Sequence, residues 1–184
     1  MRKAMSKPEG GNPMPTKITT QELKRIPLFK ELSEDELAYL SQQLEEQEYR
    51  HDSLIYQESD LADHLYIVQK GAVEITKPVP TGHRQVIAMI LAGRFFGELS
   101  FFGKRPHGAR ARATVDTRLF LLHRFVYDRM EKERPALVHK LQREIVLVVS
   151  ANLDSMNEMF LQMIHYAFYG GKAGQIEMPG RGVA

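Results

Sequence analysis

The sequence predicts a mainly-β fold with flanking helices: a small barrel or sandwich set between short N-terminal helices and one long C-terminal helix. Three observations predict it. Between Tyr49 and His123, short runs of β-branched and aromatic residues are broken by turn residues. After Phe125 the apolar period becomes helical and stays so to about Tyr169. The 184 residues, 43% of them apolar, suffice for one well-buried domain plus an appended element.

In chain order, residues 1–18 carry Pro8, Gly10, Gly11, Pro13 and Pro15 and no periodic apolar face, which predicts a disordered tail. The main domain is expected over 19–134. Thr19, Thr20, Ser33 and Asp35 are helix-cap candidates, and Glu36 stands three residues after Ser33 as a capping box requires. Leu37, Leu40 and Leu44 then recur at helical spacing, so SEDELAYLSQQL reads as an amphipathic helix.

DSLIYQ, HLYIVQK, GAVEITKPV, RQVIAMIL and RLFLLHR each read as a strand, with PTGH and LAGR as turns between them. Gly71, isolated within this pattern, marks a bulge or tight turn. Closing such a sheet would remove exposed edges. RFVYDRMEKE is one helix, and Pro135 opens the next, where its missing N–H is not needed. That helix, 135–169, carries Val149, Leu153, Met156, Phe160, Met163 and Ala167 at spacings of four and three, a stripe that calls for a partner. Residues 170–184, with five glycines and a proline, are expected to be a flexible tail.

Composition excludes several function classes. The longest apolar run, IVLVVSANL, is far short of the roughly 20 residues a membrane span needs, and the N-terminus lacks an apolar signal core. Absence of cysteine removes disulfides and thiolate metal sites and fits a reducing cytoplasm. Net charge is only +2, although residues 101–150 hold eleven Lys/Arg against five Asp/Glu, a balance of +6 that either attracts an anion or merely solvates helix and strand faces. The seven histidines show no metal-ligand spacing, and no nucleophile elbow, phosphate loop or dinucleotide fingerprint is present, so no catalytic residue, metal or cofactor is expected. No helix-turn-helix follows the long helix, so specific DNA binding is not expected either.

Three phrases, IPLFKELSEDELAYL, HLYIVQKGAVEI and FFGELSFFGKRPHGARARA, resemble in order and spacing the cyclic-nucleotide-binding domain family, in the manner of a catabolite activator protein-like sensor domain lacking the DNA-binding domain. The resemblance spans about residues 20–150. It implies a double-stranded β-helix, or jelly-roll-like barrel, with cAMP or cGMP as ligand and a homodimer built on the long helix through Val149, Leu153, Met156, Phe160 and Met163. It also implies a binding cassette made of Phe96, Gly97, Glu98, Leu99, Ser100, His107 and Gly108.

In that family the cassette wraps the ribose and cyclic phosphate at a short helix N-terminus. Gly97 lets the backbone approach closely, and first-turn N–H groups meet the anion. The residue matching Glu98 accepts from the ribose 2′-hydroxyl, and an arginine nine positions later pairs with the phosphate. Here that ninth position is His107, the following Ser/Thr position is Gly108, and the small polar residue three past the arginine position is Arg110. Ser53 and Ser59 also replace turn glycines.

The sugar-binding half is therefore kept and the phosphate-binding half altered. A lost charge-assisted hydrogen bond or a broken buried charge pair costs about 1.5 to 5 kcal/mol, or about tenfold to a few thousandfold in affinity. Three rescues stand against that loss: a protonated His107, or Arg105 or Arg110 turned inward. If 107–113 is a strand, His107, Ala109 and Ala111 share one face while Gly108, Arg110 and Arg112 share the other, which turns Arg110 outward. Two functions follow from these alternatives. The first is a regulatory domain that senses a cyclic nucleotide or related anionic small molecule and signals through its C-terminal helices to an unknown protein partner. The second is a degenerate module kept as a constitutive interaction or dimerisation scaffold.

Overall fold

The computed structural model describes residues 18–169. The expected tails at 1–17 and 170–184 lie outside the described residues. Ile18, placed by the sequence in the N-terminal tail, is instead buried. It precedes the cap Thr19 of helix α1 (Thr20–Lys24), five positions before the buried Leu23 with the cap between, the pattern of a hydrophobic staple. Thr19 and Glu22 form a full capping box, as do Ser33 and Glu36 at helix α2 (Glu34–Ser41). Pro27–Phe29 makes a single 3₁₀ turn between the two helices.

Eight strands follow: β1 (Glu45–Tyr49), β2 (Leu54–Tyr56), β3 (His64–Lys70), β4 (Ala72–Pro78), β5 (Arg84–Leu91), β6 (Phe95–Phe96), β7 (Arg110–Ala113) and β8 (Thr117–His123). They pair antiparallel in two sheets, ordered β1-β8-β3-β6 and β2-β7-β4-β5. Two sheets rather than one closed sheet are the sandwich alternative of the expected jelly-roll-like fold: each keeps two outer strands, and β5 exposes Val86, Ile87, Met89 and Leu91. Only Ala88 and Ile90 of that strand reach the core, because alternate side chains point to opposite faces.

Facing residues of the two sheets form the core. Tyr66, Val68, Phe96, Leu119 and Leu121 come from one sheet, and Tyr56, Val73, Ile75 and Ala111 from the other. Strands β3 and β8 are buried on both faces, since Leu65, Ile67, Phe120 and Leu122 are buried as well, which explains their unbroken apolar runs. β1 and β6 escape the sequence reading of strands: EEQEY carries no apolar alternation and FF is only two residues.

Gly71 turns β3 into β4 at φ +96°, where a Cβ would lie 2.4 Å from Thr117 Oγ1 and 2.7 Å from Thr117 Cα. The Thr117 hydroxyl closes that corner by accepting from Ala72 N–H at 3.2 Å. Helix α3 (Glu98–Gly103) crosses between β6 and β7, α4 (Arg124–Glu133) continues directly from β8, and α5 (Pro135–Tyr169) follows, as RFVYDRMEKE and Pro135 predict. The contacts divide into two compact units after Leu141. In the first, Leu137, Val138 and Leu141 of α5 are buried. In the second, Leu153, Met156, Phe160 and Met163 are each more than half exposed and Val149 is half-buried, so the apolar stripe is present and uncovered.

Candidate functional site

The cassette begins where β6 pairs with β3, Phe96 opposite Tyr66. Phe96 is core: its ring stacks on Tyr66 at 5.0 Å. Gly97, at φ +84°, caps α3, and a Cβ there would meet Tyr66 Cδ2 at 3.1 Å, so both the backbone turn and the ring beneath it select glycine. Glu98 is the first residue of α3 and is half-buried; burial raises its pKa, opposed by its own backbone N–H. Leu99 is exposed and Ser100 is buried. Two residues on, Phe101 is fully buried and carries α3 onto α4, with the Tyr127 ring edge-on at 5.5 Å and the Arg124 guanidinium 4.2 Å over its face.

His107 lies beneath the other side of the cassette. Its backbone N–H donates to Asp60 O and its carbonyl accepts from Ser59 N–H, both at 2.9 Å, which clamps it to the β2–β3 loop. Ser59 holds φ +71° there; on the other turn the positive φ falls on Asp52 rather than Ser53. The imidazole is 3% exposed and stacks on Tyr56 at 3.5 Å, 3° from parallel. Nε2 is buried without a hydrogen-bond partner. Burial lowers the His107 pKa, the Asp60 and Asp63 carboxylates oppose that, and His64 adds to it.

Tyr56 links the two halves, because the Glu98 charge also acts on its hydroxyl, whose pKa is raised by burial first and then by Tyr66 and Glu98. Gly108 is exposed, with open space where a Cβ would stand. The strand begins only at Arg110, so the supposed strand over 107–113 is corrected: 107–109 lie outside it, and within β7 Ala111 and Ala113 are buried while Arg110 and Arg112 are half-buried. Arg110 sits opposite Thr76 on β4, and its charge acts on Glu58, which also binds Arg84. The Arg110 Nε is buried without a hydrogen-bond partner.

Three bases of the basic stretch are paired within the fold. Arg112 pairs with Glu74 at 2.7 Å and with Asp52, Arg118 with Glu48 at 2.9 Å, and Lys140 with Glu36 at 2.7 Å. Those three bases fit the solvated-face reading of the +6 balance, whereas Arg110 Nε and Arg124 Nη2 are buried without a hydrogen-bond partner.

Sequence reasoning missed Tyr56, Tyr66, Asp60, Asp63 and His64 as neighbours of the site. The tyrosines occur in two strands that belong to different sheets, so no spacing in the chain joins them. The register of β3 on β8 also brings His64 opposite His123, with rings 4.8 Å apart and edge-on, a pairing that no sequence interval announces.

Two four-stranded sheets with a glycine-capped short helix over Tyr66, followed by a helix leaving β8, find their counterpart in known proteins. Residues 46–130 match the cyclic nucleotide-binding domain family. The likeness lies in the jelly roll, over those residues. The chain is 29% identical over 119 residues, 65% of its length, to the cyclic AMP receptor protein of Thermus thermophilus, and spans only 55% of that relative. The crystal structure of the catabolite activator protein of the same organism superposes with a TM-score of 0.64 at 26% identity, covering 77% of this chain and 65% of that one. A cyclic nucleotide-binding domain from Methylobacillus flagellatus superposes with a TM-score of 0.70 at 24% identity, over 78% and 81% of the two chains, and shows the fold. Among the described residues no helix is long and apolar enough to cross a membrane, and no group of three or more His, Cys, Asp or Glu could hold a metal ion.

Proposed function

We propose that this cyclic nucleotide-binding domain is a regulatory module that receives a nucleotide-type small molecule between the Gly97–Ser100 turn and His107 and answers through its C-terminal helices. The observation that carries the reading is the turn itself: a left-handed Gly97 seated on Tyr66, with Glu98 opening a short helix whose fully buried Phe101 is wedged against Arg124 and Tyr127 of α4. A ligand that moves α3 must repack those aromatic contacts, and α5 follows α4 after one residue. Such a module works without chemistry of its own, in the cytoplasm.

The partner that the signal reaches is a second copy of the chain, met along Leu153, Met156, Phe160 and Met163, with Val149 beside them. Soluble monomers rarely expose so continuous an apolar stripe.

The His107–Tyr56 stack favours the second reading, a scaffold whose binding position has been filled by its own side chain. Amide resonances decide between them. With cAMP or cGMP at millimolar concentration, Gly97, Glu98 and His107 are expected to shift together with α4 resonances. Absence of any shift there, with either compound or with the parent nucleosides, would leave the scaffold reading.

A further inference from the structure

The joint where β8 becomes α4 is closed by an imidazole. His123 is the N-cap of α4, and its Nδ1 accepts from Phe125 N–H at 3.0 Å. The neighbouring N–H, that of Arg124, donates to Asp63 O at 2.8 Å, so the first turn is tied once to the β2–β3 loop and once to the cap. The residues that ordinarily serve as caps, Ser, Thr, Asp and Asn, keep their acceptor oxygen at every pH near neutrality. Histidine does not, because Nδ1 accepts only while it carries no proton.

A second imidazole faces this one. Register places His64 of β3 opposite His123, with the rings edge-on and 4.8 Å apart, and both residues are half-buried. Asp63 before β3, Glu45 on β1 and Arg124 on α4 are the charged groups around the pair. Burial, joined by His123, holds the His64 pKa below its ordinary value against the pull of Glu45 and Asp63. A proton on His123 removes the acceptor of Phe125 N–H and puts a positive charge at the positive end of the α4 dipole, next in the chain to Arg124. The Arg124 guanidinium lies 4.2 Å over the Phe101 ring, and Tyr127 meets the same ring, so the turn that the cap fastens is the one on which the cassette helix α3 packs.

We infer that His123 is a cap that a proton cancels: acidification through the histidine range releases the first turn of α4 from β8, a pH response built into the joint between the jelly roll and its C-terminal helices. The inference goes beyond the proposed ligand response and is independent of it, since the release needs no small molecule in the cassette.

Amide exchange in the full chain without ligand, followed by nuclear magnetic resonance at pH 7.5 and 5.5 and corrected for the intrinsic pH dependence, tests this. Relative to the core amide of Val68, protection of the Phe125 amide is expected to be about fivefold or more lower at pH 5.5, the size of a lost helix cap. His123→Asp, whose carboxylate remains an acceptor across this range, is expected to hold that protection nearly constant. His64→Phe, which keeps a ring on β3 but takes no proton, is expected to retain the loss. Equal protection at the two pH values in the unmodified chain overturns the inference, as does the same loss in His123→Asp. Disappearance of the loss in His64→Phe overturns it too, by making His64 the titrating group. The unmodified chain gives a further check that needs no variant: the His123 ring and the Phe125 amide are expected to titrate with one midpoint, and separate midpoints overturn the inference.

Discussion

The imidazole of His107 lies face to face with the phenol ring of Tyr56, 3.5 Å away and 3° from parallel, at the position where the resemblance implies an arginine. A guanidinium would project a fixed positive charge; a buried imidazole held below its ordinary pKa projects none. The site thereby keeps its turn and its carboxylate but loses its cation.

Restoring that cation should restore anion binding. His107→Arg combined with Gly108→Ser is expected to raise cAMP affinity about tenfold or more at neutral pH, since one charge-assisted hydrogen bond contributes about 1.5 to 3 kcal/mol. The serine meets no obstruction, because a Cβ at 108 stands in open space. Competition binding against a fluorescent cyclic nucleotide measures the gain. An unchanged affinity would show that the missing charge is not what limits binding.

Stability should fall on acidification. The folded pKa of His107 is lowered by burial, and that of His64 is lowered by burial and by His123, so the unfolded chain binds these protons more readily. Their contribution is complete well above the ordinary histidine pKa of about 6.5 and declines as pH drops below it. Glu98, raised by burial, has the opposite sign: its contribution is present at low pH and is lost as pH rises through its folded value. Urea midpoints between pH 7.5 and 5.5 are expected to decrease, and His107→Phe, which keeps a ring on Tyr56 but cannot take up a proton, should reduce the decrease. Equal pH dependence in the two proteins would place the effect elsewhere.

Gly71→Ala should destabilise the jelly roll by about 2 kcal/mol or more. The new Cβ meets Thr117 backbone at 2.7 Å, and alanine is strained at φ +96°. Gly108→Ala, with open space around it, is the control and should shift the urea midpoint little. Similar midpoints for the two variants would contradict the close approach at Thr117.

Phe160→Asp should convert a dimer to a monomer without unfolding the strands. The residue is 56% exposed in the single chain, so the substitution removes nothing from its own core. Light scattering across a concentration series reads the mass, and far-ultraviolet circular dichroism checks the fold. A monomer at tens of micromolar before substitution, or a dimer that survives it, would remove the stripe as the interface.

The sequence by itself determined the local elements. Ser33 with Glu36 fixed the start of α2, RQVIAMIL and HLYIVQK carried their strands residue for residue, and Pro135 set the start of the long helix, because caps, periodicity and proline geometry act over a few neighbouring residues. What only the tertiary structure decided is everything that depends on which strands meet. Tyr56 beneath His107, Asp60 at its backbone, Tyr66 beneath Gly97 and His64 against His123 join positions from different strands and loops. EEQEY became a strand for the same reason: its pairing to β8, from Glu45 opposite Leu121 to Tyr49 opposite Thr117, supplies backbone partners that its own side chains do not advertise. Burial then set the charge state of the site, since desolvation of His107 and Glu98 arises from the packing of both sheets and is absent from any short stretch of chain.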